Sequence, residues 1–202
     1  MIRIEEGAGG AHDSLATRME VMFSPSGGLA ASPDFEYRKE QQQMAVAVAR
    51  ALETRNVLCA EAGTGVGKSL AYLMPAAQVS LDPGRKAVIS THTINLQEQL
   101  ISKDIPLATA IPGGGPKAAL LKGRGNYVCP LRLRRAMDQV GDLFSTSESE
   151  ELKAIWDWAE GTRDGTKTDM DFQPSPKVWA QVCSDGSVCT QRTCGKRGNC
   201  FY

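Results

Sequence analysis

The clearest periodic pattern lies between Lys39 and Glu53, where Met44, Val48 and Leu52 recur every fourth residue beside Ala47 and Ala51. That spacing predicts one face of an amphipathic helix. Asn56-Val57-Leu58-Cys59-Ala60 reads as a short buried strand, with Cys59 a small core residue. A Gly-rich turn follows. Helical character resumes from Gly67 to Val79, with Pro75 predicting a kink or an early stop. Ala87-Val88-Ile89-Ser90 reads as a second strand after the turn Asp82-Pro83-Gly84. A helix is expected over Ile94–Ser102, and a third strand over Ala118-Ala119-Leu120-Leu121. Strands alternating with crossover helices predict an α/β fold with a parallel sheet.

Beyond Cys129 the alternation stops. Ser147 and Glu150 are spaced as a capping box, and Leu152, Ile155, Trp156 and Ala159 form the apolar stripe of the helix after it. Residues 161–176 are polar and contain proline, so they read as loop. The first 33 residues are rich in Gly, Ala and Ser and read as a mostly irregular lead-in. The organisation expected is a lead-in over 1–33, a sheet-bearing segment over 34–124, and a cysteine-rich, partly helical segment over 125–202.

Composition changes little in this picture. Hydrophobic residues make up 42% and charged residues 23% of the 202, as in ordinary globular proteins. The formal net charge is zero, so any nucleic-acid contact must come from local basic clusters. No apolar run approaches the roughly 18 residues of a membrane helix, and the first residues lack the charge order of a signal peptide. A cytoplasmic chain without a membrane partner is expected. Four of the six cysteines crowd into the last twenty residues. In a cytosolic chain, crowding of that kind points to a metal or cluster rather than to disulfides.

The strongest local signal is Glu61-Ala62-Gly63-Thr64-Gly65-Val66-Gly67-Lys68-Ser69, a P-loop pattern with Ala62 in place of the first Gly. Its glycines let several backbone N–H groups converge on one anion, and the following helix N-terminus adds partial positive charge. Lys68 is suited to the terminal phosphates of ATP and the Ser69 hydroxyl to Mg²⁺. The motif predicts nucleotide binding without fixing the reaction.

Three flanking segments narrow it: Tyr37-Arg38-Lys39-Glu40-Gln41, Ser90-Thr91-His92-Thr93-Ile94-Asn95-Leu96-Gln97-Glu98-Gln99-Leu100, and Leu121-Lys122-Gly123-Arg124-Gly125-Asn126-Tyr127-Val128-Cys129. Together with the P-loop they resemble the iron–sulfur DNA helicases of the DinG/XPD type, over about residues 23 to 202. The resemblance implies a RecA-like ATP-binding domain carrying an inserted iron–sulfur segment. It implies adenine sensing by Arg38 and Gln41, and single-stranded DNA held by Thr91, Thr93 and Asn95. It also implies a 4Fe–4S cluster on Cys129, Cys189, Cys194 and Cys200, with Phe201 as the aromatic follower of the last ligand. Arg124, Tyr127 and Arg132 would line the DNA path, with Lys122, Arg134, Arg135, Lys196 and Arg197 in the same basic flank. The parent activity implied is ATP-driven translocation along single-stranded or forked DNA, five-prime to three-prime.

The residues themselves leave alternatives open. Gln41 suits an adenine edge but also a solvated Gln run. Thr93 is equally well placed as an N-cap, and His92 reads as a packed loop residue. Cys183 lies six residues before Cys189 and could replace it. Four cysteines also suit zinc. A metal-stapled binding module with a vestigial P-loop and a non-helicase P-loop enzyme are the competing functional readings. No D-E-A-H box occurs in the 202 residues. The sheet is therefore expected to be short of strands, with exposed apolar surface and marginal stability, and the chain to bind ATP and DNA as a fragment without unwinding.

Overall fold

The computed structural model describes residues 14–32, 35–110, 115–189, 194 and 200–202. The chain forms two compact units, Met1–Leu120 and Leu121–Tyr202.

In the first unit, α1 (Leu15–Met22), α2 (Lys39–Thr54) and α3 (Lys68–Val79) pack around Met19, Phe23, Ala45, Ala49, Leu73 and Met74. The lead-in is thus helical over α1. The Ser14 hydroxyl accepts the Thr17 N–H at 3.0 Å, and the Glu53 carboxylate on α2 accepts the Leu15 N–H, which pins the start of α1 to its neighbour. The buried face of α2 is Gln41, Ala45 and Ala49, one residue round from the expected Met44–Val48–Leu52 row. Small alanines let flanking helices approach closely, and Met44 and Leu52 pack at the margin of the core. Helix α3 runs through Pro75 to Val79, with Pro75 itself buried. Beyond it, α4 (Ile94–Gln99), a π-type turn over Leu100–Asp104 and α5 (Ile105–Thr109) continue one helical path.

The three expected strands are where sequence and structure part. Residues 56–63, 85–91 and 115–123 have no regular secondary structure, and no strand occurs among the described residues. Val57 is 99% exposed and Val88 93%, and Cys59 is exposed rather than in a core. An apolar strand is buried only when neighbours flank it and helices cover its faces. Here 56–63 and 85–91 have no paired neighbour among the described residues. Apolar surface is exposed, as the sequence predicts, but the expected parallel sheet does not form among the described residues.

In the second unit, α6 (Pro130–Asp138), α8 (Thr146–Gly161) and α9 (Pro176–Val182) enclose a core of Val128, Leu133, Leu152, Ile155, Val178, Trp179 and Val182. A short α7 (Val140–Leu143) links α6 to α8. Leu152 and Ile155 are buried as the stripe predicts, with Trp156 and Ala159 packed beside them. The capping box lies two residues earlier than expected: Ser145 caps α8 and the Glu148 carboxylate accepts the Ser145 N–H at 2.9 Å. Two S-x-x-E registers overlap here, and Lys177 at 2.7 Å from Glu148 favours the first. No helix among the described residues is long and apolar enough to cross a membrane.

Candidate functional site

The loop before α3 is shaped by two left-handed glycines, Gly65 (φ 83°) and Gly67 (φ 82°). Gly67 is the N-cap of α3 and supplies no side chain, so the first N–H groups of that helix have neither a capping oxygen nor an intrahelical partner. Such a terminus favours an anion. Lys68 curls back over the loop, its ammonium donating to the carbonyls of Ala62 (2.8 Å) and Gly63 (2.7 Å). Thr64 is exposed, while Val66 and Ser69 are half-buried.

The Arg38–Gln41 element closes on the same loop. The Gln41 amide donates to the Gly67 carbonyl at 2.9 Å and is buried. A Cβ on Gly67 would overlap that amide. The Arg38 guanidinium donates to the Gly65 carbonyl and pairs with Glu36 at 2.7 Å. Both side chains brace the P-loop backbone from the head of α2, an arrangement that R-x-x-Q spacing alone does not reveal.

After the second extended segment, the Thr91 hydroxyl donates to the Thr93 carbonyl at 3.2 Å. The Thr93 hydroxyl accepts the Leu96 N–H at 3.3 Å, so it does cap α4. Asn95 is exposed, and so is His92, which is not packed.

In the second unit Tyr127 and Val128 form isolated antiparallel bridges to Thr166 and Cys183. The Cys129 N–H donates to the Val182 carbonyl (2.8 Å) and the Ser184 N–H to the Tyr127 carbonyl (2.7 Å). Side chains alternate along extended backbone. Val128 and its partner Cys183 pack against the core, so Cys129 projects the other way. Cys189 and Cys194 lie with sulfurs 3.8 Å apart. The Cys194 thiol is held above its ordinary pKa by that contact with Cys189, then by burial, then by the charges of Cys189, Cys129 and Cys200. All six cysteines are free thiols. Among the described residues no three His, Cys, Asp or Glu side chains converge closely enough to hold one ion. Cys189 and Cys194 are a close thiol pair rather than part of a formed coordination shell.

The basic flank divides by environment. Lys122 is only 3% exposed and donates to the hydroxyls of Thr166 (3.3 Å) and Thr168. Arg132 donates to the carbonyls of Cys183 (2.6 Å) and Ala180 (2.7 Å), capping the end of α9. It also lies 4.0 Å from Asp185, whose carboxyl sits below its ordinary pKa chiefly through hydrogen bonds from Ser187 and secondarily through Arg132 and Arg124. Tyr127 is 4% exposed, its hydroxyl accepting the Lys122 N–H at 2.9 Å, so its ring offers no face to a base. Arg124 lies over the Tyr202 ring, 4.1 Å from the centroid. Arg134 and Arg135 are exposed on α6. Lys196 and Arg197 fall outside the described residues.

Residues 39–110 match the DEAD/DEAH box helicase family, which places this glycine loop in a P-loop NTPase domain. The chain is 38% identical over 181 residues to ATP-dependent DNA helicase YoaA of Escherichia coli, covering 89% of this chain and 28% of that protein. It is 37% identical over 169 residues to ATP-dependent helicase DinG of Mycobacterium tuberculosis, covering 75% of this chain and 25% of that protein. The DinG of Salmonella choleraesuis is 34% identical over 188 residues, 84% of this chain and 26% of the relative. The chain therefore spans about a quarter of the length of these relatives.

Proposed function

We propose that this chain is the nucleotide-binding part of an ATP-dependent DNA helicase of the DinG type. The observation that carries the reading is the loop Ala62–Ser69: left-handed Gly67 opens α3 without a side-chain cap, and Lys68 stands across the loop mouth. An ATP polyphosphate fits that chemistry. In this reading the N–H groups of the loop and of the first turn of α3 cradle the phosphates. Lys68 leaves the carbonyls of Ala62 and Gly63 for the phosphate oxygens, and Ser69 ligates Mg²⁺. Arg38 and Gln41 hold the loop in shape and border the site of the base. Thr91 and Asn95 contact the backbone of single-stranded DNA, with Thr93 fixing the start of α4 between them. Arg124, Arg134 and Arg135 supply cationic contacts to phosphates. The parent protein would convert ATP hydrolysis into five-prime to three-prime movement on single-stranded or forked DNA, in the cytoplasm. The acidic D-E-A-H box that such hydrolysis needs is not among these 202 residues.

Cys129, Cys189, Cys194 and Cys200 are the residues that would hold a 4Fe–4S cluster, whose four irons each take one thiolate. The donor chemistry fits, and the contact between Cys189 and Cys194 supports a shared centre for those two thiols. Bound there, the cluster would tie together a loop-rich segment. One observation favours zinc as a second reading: the 3.8 Å separation of Cys189 and Cys194 suits two corners of a tetrahedron with Zn–S bonds of about 2.3 Å. Metal and acid-labile sulfide analysis of anaerobically purified chain separates them, since zinc comes without sulfide.

The test of the main reading is ATP binding and turnover by the 202-residue chain, with and without single-stranded DNA. Mg-ATP binding that disappears in Lys68→Ala, without turnover, is the expected result. A chain that binds no nucleotide would leave the stapled-module reading in its place.

A further inference from the structure

The first and last cysteines of the quartet are 71 positions apart, and one residue outside the quartet touches the neighbours of both. Gly165 accepts the Val128 N–H on its carbonyl at 2.9 Å, beside Cys129. Its α-carbon faces the Phe201 ring, beside Cys200. A Cβ at Gly165 would overlap the base of the Phe201 side chain, 2.7 Å from its Cβ. Gly165 also has φ 65°, in the left-handed region that favours glycine.

The loop that presents Gly165 is held on every side. The Thr162 hydroxyl accepts the Gly165 N–H at 3.0 Å and donates to Asp169 at 2.6 Å. The Asp164 carboxylate accepts both the Thr166 N–H (2.9 Å) and the Thr166 hydroxyl (3.0 Å). Buried Lys122 donates to Thr166 and Thr168 from the segment that leads to Cys129. Next to Phe201, Tyr202 lies against Arg124 (4.1 Å) and edge-on to Tyr127 (5.5 Å between centroids).

We propose that Gly165 is a positioning residue for the cysteine centre. The seat it forms for Phe201 holds Cys200 within reach of Cys129, Cys189 and Cys194. The metal role of the quartet belongs to the reading above; the placement of Cys200 rests on Gly165 and Phe201 themselves. A loop of 161–176 thereby sets the geometry of a centre to which it contributes no ligand. Without the seat, Cys200 samples a wider volume and its effective concentration at the other thiols falls.

The experiment uses the full 202-residue chain, metal-free, in wild-type, Gly165→Ala, Phe201→Ala and doubly substituted forms. Disulfides between Cys200 and the other three thiols are formed with diamide, which takes up the two electrons and two protons released, and are followed by peptide mass mapping. Cobalt(II) is titrated in parallel, its thiolate charge-transfer absorbance reporting the number of sulfurs bound. Each single substitution is expected to slow Cys200 pairing roughly tenfold and to weaken cobalt binding by a similar factor. The double variant should be no slower than either single one, because both break the same contact. Phe201→Ala strains no backbone, so wild-type rates in that variant would overturn the proposal, as would fully additive effects. If cobalt fails to bind the wild type while Cys200 pairing still depends on Gly165, the metal reading falls and the positioning role stands.

Discussion

At the residue scale, the nucleotide loop is governed by main-chain carbonyls that side chains reach from two directions. Lys68 reaches Ala62 and Gly63 from within, and Gln41 reaches Gly67 from α2. Lys68→Ala removes the charge proposed to meet phosphate without touching a core residue. Mg-ATP affinity should fall about 10–100-fold, the worth of one charge-assisted hydrogen bond, as titration calorimetry would measure, with the far-ultraviolet spectrum unchanged. Gly67→Ala acts differently. It forces a left-handed alanine, at a cost of about 1–2 kcal/mol, and pushes against the Gln41 amide. Urea unfolding should show that loss, and a Gln41→Ala background should reduce it, since the overlap is then gone. Equal losses in both backgrounds would mean the strain is purely in the backbone. Among the arginines, those of α6 separate by partner. Arg132→Ala should destabilise the second unit by uncapping α9, and Arg132→Lys should not restore the fork of two hydrogen bonds. Arg134→Ala with Arg135→Ala should leave stability alone and weaken single-stranded DNA binding. The same pair should make the salt dependence of that binding shallower, by about 0.7 for each phosphate no longer neutralised.

At the scale of elements, the start of α8 carries a pH-dependent contribution. The Glu148 carboxyl is lowered from 4.5 to about 2, first by the hydrogen bond from Lys177 and then by the Ser145 N–H. The folded state favours the ionised form. That stabilisation is complete above about pH 4.5 and is lost as the pH falls towards 2. Thermal melts of the wild type should therefore drop across that interval. Glu148→Gln should be less stable at neutral pH and flatter below it, and an unchanged acid slope in that variant would assign the loss to other carboxylates. The helices were legible because an apolar period of 3.6 is local information, as Leu152 and Ile155 demonstrate. The P-loop was legible because left-handed glycines leave a direct mark in the sequence. The strands were not. A short apolar run such as Val57-Leu58 states what it would bury, yet burial depends on neighbours that the run does not encode. The bracing role of Gln41 and the burial of Tyr127 were likewise hidden, because both depend on which backbone approaches from elsewhere. Gly165 left a signal that was readable in principle, the Asp164-Gly165 turn dipeptide, but nothing in sequence joined it to Phe201.

At the scale of the whole molecule, each unit has its own apolar core, one around Met19, Phe23 and Met74, the other around Leu152, Ile155 and Val182. They differ in what surrounds those cores. The first leaves Val57 and Val88 almost wholly in water, which lowers the stability its burial can supply. The second has a cysteine set that a bound metal would turn into a staple. A ligand stabilises only the folded state it binds, by about 2.7 kcal/mol at a hundred times its dissociation constant. Heating the chain should then give two transitions in calorimetry. Mg-ATP should raise the lower one, assigned to residues 1–120, and Lys68→Ala should abolish that rise. Removing the metal anaerobically should lower only the other, assigned to residues 121–202, and substituting Cys194→Ser should do the same. A single cooperative transition at high temperature, moved by both ligands, would show instead that the exposed segments do not weaken the first unit and that the two cores melt as one.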